Sequence, residues 1–146
     1  MTMKRTGDAW MPAHEYGRVM ARFSVNLLVR DVAKSLPFYK DVLGARVRYR
    51  DADFAAMELN GVEFMLHSDH TYDHHPLSAR LQGSGKRGDG AELRVMGIDP
   101  DDLQERAEAA GATILQPAAD FPHGWRDVIL EDPDGYIWAV GVPLEK

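Results

Sequence analysis

The sequence predicts an α+β fold in which one βαβββ module occurs twice, the pair forming a curved eight-stranded sheet around a cavity. Two observations carry that reading. In both halves of the chain the apolar period runs from two to helical and back to two, in the same order. Each half also sets an Asp before its helix and a Gly-Ala pair after it: Asp31 and Gly44-Ala45, then Asp99 and Gly111-Ala112.

The first module opens on FSVNLLVRD (23–31), where Val25, Leu27 and Val29 share one side of a strand and Ser24, Asn26 and Leu28 the other. Asp31 is placed as a helix N-cap, and Val32, Leu36, Tyr39 and Leu43 form the stripe of a helix that stops at Gly44. Pro37 falls inside that helix and predicts a kink, because a proline in a regular helical interior costs up to about 3 kcal/mol. ARVRYR then reads as a strand, and AAMELNGVEFML as a hairpin turning at Asn60-Gly61, a dipeptide that accepts two positive φ angles. In the second module AELRVMGID (91–99) is the strand, Asp99 the cap and Pro100 the first helical residue. Leu103, Ala107 and Ala110 form its helical stripe, and the closing hairpin DVILEDPDGYIWAV turns at Asp132-Pro133-Asp134-Gly135.

These elements give an N-terminal extension over 1–22 and a single domain over 23–143. Module one spans 23–68, a linker 69–90 and module two 91–143; the linker ends in the glycine-rich, charged stretch LQGSGKRGDG. A single helix covers one face of each small sheet. The other face stays bare until the two sheets curl toward each other and leave a concave cavity between them.

Composition removes several functions. A net charge of −6 gives no basic surface for sequence-independent binding to nucleic acid or to anionic lipid. The absence of cysteine excludes disulfides, thiolate catalysis and cysteine-held zinc. No apolar run is long enough to span a bilayer, and residues 1–22 lack the apolar core of a signal peptide, so the expectation is a cytoplasmic protein.

VRDVAKSLPFYKDVLGA at the start of the first copy and LEDPDGYIWAV at the end of the second resemble the vicinal-oxygen-chelate superfamily. That group takes in glyoxalase I, extradiol dioxygenases, methylmalonyl-CoA epimerase, and fosfomycin- and bleomycin-resistance proteins. The resemblance covers 23–143 and implies the glyoxalase/bleomycin-resistance/dihydroxybiphenyl-dioxygenase fold; one such scaffold hosts many reactions. It also implies a divalent metal held by His and Glu on four inward strands. Carried over residue by residue, those positions fall on Ser24, on His67 or its neighbour Leu66, near Glu92, and on Ala139. Serine is a poor ligand for such ions and alanine is none. In this respect the chain is similar to the bleomycin-resistance and glyoxalase-like branch, whose members bind an organic molecule in the cavity, commonly as homodimers that share pocket walls.

Four of the six histidines lie in HSDHTYDHHP (67–76), at the end of the fourth strand. Strand parity points His67, with Glu63 and Met65, into the cavity, and does the same for Glu92 and Arg94. His70 and His74 read as exposed loop residues, and the loop as a polar gate. The candidate ligand-binding residues are Asn26, His67, Glu92, Arg94, His123, Trp125 and Arg126: an apolar bowl with a few polar contacts. Arg126 suits a two-pronged grip on an oxyanion, Trp125 a stack on a flat ligand, and Glu92–Arg94 alternatively an ion pair holding strands in register. The leading expectation is a metal-free homodimer that binds a small organic molecule, with antibiotics among the candidates. The alternative is a lyase, isomerase or dioxygenase dependent on Zn, Fe, Ni or Mn, with His67 and Glu92 as ligands helped by His75 or His123. A third is metal-free acid–base catalysis by Glu92 and His67. Trp138, Phe38 and Tyr39 read as core; Trp10 is left unassigned, an apolar residue there making sense if the extension docks across a dimer.

Overall fold

The computed structural model of the protein describes residues 6–7, 10–83 and 85–145. Its eight strands hydrogen-bond as two four-stranded sheets of identical topology. The first has the order β1-β4-β3-β2, from β1 (Val25–Val29), β2 (Arg46–Arg50), β3 (Phe54–Leu59) and β4 (Val62–Ser68). The second has the order β5-β8-β7-β6, from β5 (Leu93–Met96), β6 (Thr113–Asp120), β7 (Trp125–Glu131) and β8 (Ile137–Pro143). In each sheet the first and last strands of the copy run parallel and the hairpins antiparallel. The expected duplication is therefore present, as two separate hydrogen-bonded sheets.

By contacts the chain divides into two compact units, Met1–Lys34 with Ala45–Gly83, and Ser35–Gly44 with Ser84–Lys146. In the first unit Asn60 and Gly61 have φ of 49° and 84°, which makes the two-residue turn type I′ and fixes the β3–β4 register. Leu27, Val29, Met57 and Leu66 are buried on one face of this sheet. Asn26, Phe54, Ala56, Met65 and His67 share the other, as the pairings Asn26–Met65, Ala56–Met65 and Phe54–His67 require. A short helix, α1 (Ala13–Val19), precedes the sheet; it has no side-chain cap and none of its residues is fully buried.

In the second unit α3 (Pro100–Ala110) starts at Asp99, whose carboxylate accepts from the amides of Asp101 (2.9 Å) and Asp102 (3.3 Å). It ends at Gly111 with φ 70°, the left-handed closure that the sequence anticipates. The helix begun by α2 (Val32–Pro37) changes winding at Pro37, and Phe38–Val42 forms a π-helical turn. The proline has no N–H to give, and widening the next turn absorbs the missing bond where a kink was expected. This π turn packs within the second unit: Tyr39 is wholly buried, edge-on to Trp138 at 5.8 Å, and its hydroxyl donates to Asp132 Oδ2 at 2.6 Å. The Arg106 Nε donates to the Val42 carbonyl at 3.0 Å. The end of the linker is tied down as well, with the Arg87 and Gly88 amides donating to the carbonyls of Asp134 and Gly135 in the closing turn. No helix among the described residues is long and apolar enough to cross a membrane.

Candidate functional site

A cavity of about 270 Å³ lies within the first unit, between its sheet and the N-terminal segment. Trp10, Met11, Tyr16, Gly17 and Met20 form the wall on the segment's side. Phe54, Met65, Asn26 and His67 from the sheet, with Tyr72 from the loop after β4, form the other. Alternation along β3 and β4 delivers the sheet residues, because Phe54 and His67 are direct cross-strand partners whose rings lie 4.8 Å apart.

The segment is held by rings and by one buried carboxylate. Trp10 stacks on Tyr49 at 5.0 Å with an interplanar angle of 11°, and Tyr16 meets Phe54 edge-on at 5.4 Å. Trp10, unassigned from the sequence, thus docks on its own chain. Asp53, 1% exposed, accepts from the Thr6 amide and hydroxyl, both at 2.7 Å, and pairs with His70 Nε2 at 2.6 Å. His70 therefore belongs to the fastening of the segment.

Polar groups gather at one corner. Asn26 Oδ1 lies 2.6 Å from His67 Nδ1, and Asn26 Nδ2 donates to the Tyr72 hydroxyl. With the amide oxygen on its side, Nδ1 of His67 is the nitrogen that carries the proton. Burial, and then the Glu63 carboxylate, raise the pKa of Tyr16 against the opposing effect of Arg48, so this phenol stays protonated. Among the described residues no Asp, Glu, Lys or Arg side chain lines the cavity.

A second polar group forms on β5 and β7, inside the other unit. Arg94 donates to Asp127 Oδ2 at 2.8 Å and to Glu92, lies 3.2 Å from His123 Nε2, and sits over the Trp125 ring at 4.8 Å. The bond to Glu92, helped by Asp127 and against the lowering effect of burial, raises its pKa above the ordinary arginine range. Asp127 is 1% exposed, and its Oδ1 has no hydrogen-bond partner among the described residues. Gly141 faces it in register, and a Cβ there would lie 2.0 Å from the Arg126 carbonyl oxygen.

The sequence-selected residues thus fall into three places. Asn26 and His67 meet in the first unit's cavity, and Glu92, Arg94, His123 and Trp125 meet in the second unit's cluster. Arg126 stands on the opposite side of β7, held by Asp101 through Nε and Nη2 (2.9 and 2.8 Å) and by Asp120 at 3.1 Å. Those bonds raise its pKa and occupy the fork that was to grip an oxyanion. His75 lies against Tyr72, its Nδ1 accepting from the Leu77 amide at 3.1 Å, while His74 is beside Asp73. Trp10, Tyr16, Phe54, Met65 and Tyr72 were not among the selected residues. No local pattern in the extension marked Trp10 and Tyr16, because their partners Tyr49 and Phe54 are far along the chain.

The family model for the Glyoxalase/Bleomycin resistance protein/Dioxygenase superfamily matches residues 21–140. The chain belongs to that superfamily. An uncharacterized protein of Mycobacterium bovis is 30% identical over 129 residues, which covers 84% of each chain. Among solved structures, a glyoxalase/bleomycin resistance protein/dioxygenase family enzyme from Burkholderia phytofirmans superposes with a TM-score of 0.68 at 23% identity, over 83% of this chain and 97% of that one. A glyoxalase-related enzyme from Fulvimarina pelagi gives 0.67 at 23% identity, over 85% and 88%. These two likenesses are of fold.

The superfamily's metal can be tested against the side chains at its four strand positions. Ala139 has no donor atom, Ser24 offers only a hydroxyl and Glu92 is committed to Arg94, while His67, bonded through Nδ1 to Asn26, has Nε2 as its remaining ring nitrogen. Among the described residues no three His, Asp or Glu side chains come together in an arrangement that holds a metal. Two of the four positions, Ser24 and Ala139, thus offer no strong ligand atom.

Proposed function

We propose that this protein is a glyoxalase/bleomycin-resistance-like binder of a small organic molecule, held in the first unit's cavity without a divalent metal. The observation that carries this reading is the cavity itself: rings and thioethers on both walls and one hydrogen-bonding corner. In this reading Asn26, His67 and Tyr72 orient the bound molecule and the apolar walls supply its affinity. The chain acts as a cytoplasmic homodimer; exposed Val19 and Phe23, 69% and 84% accessible, support a contact between copies.

The test is elemental analysis of untagged protein dialysed against Zn, Fe, Ni and Mn, together with a thermal-shift screen of aromatic, aliphatic, cationic and anionic compounds. The expected outcome is no stoichiometric metal and at least one stabilising compound whose effect is lost in Gly17→Leu. Tightly held metal at one per chain that disappears in His67→Ala would overturn the reading in favour of a metal-dependent lyase, isomerase or dioxygenase.

A further inference from the structure

The N-terminal segment makes one whole wall of the cavity. Alone it would not hold a helix: α1 is seven residues long, lacks a side-chain cap and carries Gly17 at its centre. Glycine in a helical interior costs about 1 kcal/mol relative to alanine. Gly17 is not required by its backbone, whose φ lies outside the positive range, and it is not required by crowding, since a Cβ there meets nothing within 4 Å. It lines the cavity, and its missing side chain leaves room in the wall. The segment is instead placed by Trp10 on Tyr49, Tyr16 on Phe54, and Thr6 on Asp53.

Those contacts define what can enter. The aromatic rings and methionine thioethers of the lining favour a flat, polarisable body over a branched aliphatic one. With no acidic or basic side chain other than His67 among the described residues of the lining, a ligand cation or anion would be desolvated there without a strong counter-charge from them. A volume of about 270 Å³ lies just under the range of drug-sized sites, which begins at about 300 Å³. One or two fused rings fill it.

Resting on the reading of this cavity as a ligand site, we infer that residues 10–20 are its specificity wall. The ligand they select is an uncharged planar aromatic of one or two rings, carrying a hydroxyl or amide at the Asn26–His67–Tyr72 corner.

The experiment titrates full-chain protein calorimetrically with four probes of one skeleton: 2-naphthol, 2-naphthoate, 2-naphthylmethylammonium and the saturated 2-decalol. 2-Naphthol is expected to bind, with each charged analogue and the decalol weaker by about tenfold or more. In Gly17→Leu and Trp10→Ala, each confirmed folded by circular dichroism and thermal melting, 2-naphthol affinity is expected to fall by about tenfold or more. Equal binding of the four probes overturns the inference, as does undiminished 2-naphthol affinity in both variants. Should 2-naphthol fail while a charged or aliphatic compound from the broad screen binds and is lost in Gly17→Leu, the aromatic class falls and the binding cavity stands. Failure of every compound in both experiments removes both.

Discussion

Asp132 offers a quantitative test of how the closing turn is built. Its Oδ1 accepts from the amides of Asp134 (2.9 Å) and Tyr136 (2.8 Å), and its Oδ2 accepts from the Tyr39 hydroxyl at 2.6 Å. Those bonds favour the carboxylate, but burial outweighs them, and with the nearby Asp134 charge it raises the pKa from 3.8 to about 6. A carboxyl whose folded value exceeds its unfolded one binds more protons in the native state at intermediate pH. Its contribution to stability is then complete below about pH 4 and is lost as pH rises through about 6. At about 1.4 kcal/mol per pH unit, the difference between 3.8 and about 6 amounts to about 3 kcal/mol. Asp132→Asn keeps an oxygen for the two amides and removes the titration. Urea unfolding of both proteins at intervals from pH 4 to pH 8 should show the variant gaining about 3 kcal/mol relative to the parent across that range. A stability difference that stays constant with pH would refute the reasoning, because Asp132 would then titrate alike in both states.

Three further outcomes follow from contacts described above. Gly141→Ala drives a methyl group into the backbone at Arg126 and should cost about 1–3 kcal/mol in denaturant unfolding, near the upper end because backbone must move. Asp53→Ala leaves the Thr6 amide and hydroxyl without their acceptor; a loss of about 1–3 kcal/mol is expected, with faster hydrogen exchange across residues 10–20 than elsewhere in the first unit. Gly61→Ala, at φ 84°, should cost about 1 kcal/mol in the same unfolding assay, through strain in the type I′ turn.

The duplication was legible because each signal in it is local. Asp99, Pro100 and Gly111 fix both ends of α3 with no help from the rest of the chain, and Asn60-Gly61 sets its own hairpin. Period-two alternation was enough to put Asn26, Met65 and His67 on one face, and the helical stripe was enough to make Tyr39 core. The wall formed by the N-terminal segment was not legible. α1 buries no residue completely, so it leaves no apolar stripe, and its position comes from Tyr49, Asp53 and Phe54, more than thirty residues away. Arg126 was placed with Glu92 and Arg94 as a polar contact of the bowl, yet it lies on the face of β7 opposite Trp125 and Asp127, as adjacent residues of a strand must. Glu92 lies just before β5, where alternation gives way to a bond with Arg94.

The boundary between contact units does not fall where the repeat does. Residues 35–44 are encoded in the first copy, yet their partners are Asp132, Asp134, Trp138 and Arg106 of the second. Cutting the gene at the glycine-rich junction would therefore strand Tyr39 on one fragment and its acceptor on the other. The first copy's helix turn is thus part of the second unit, and fission at that junction would leave both fragments short of contacts that the intact chain makes.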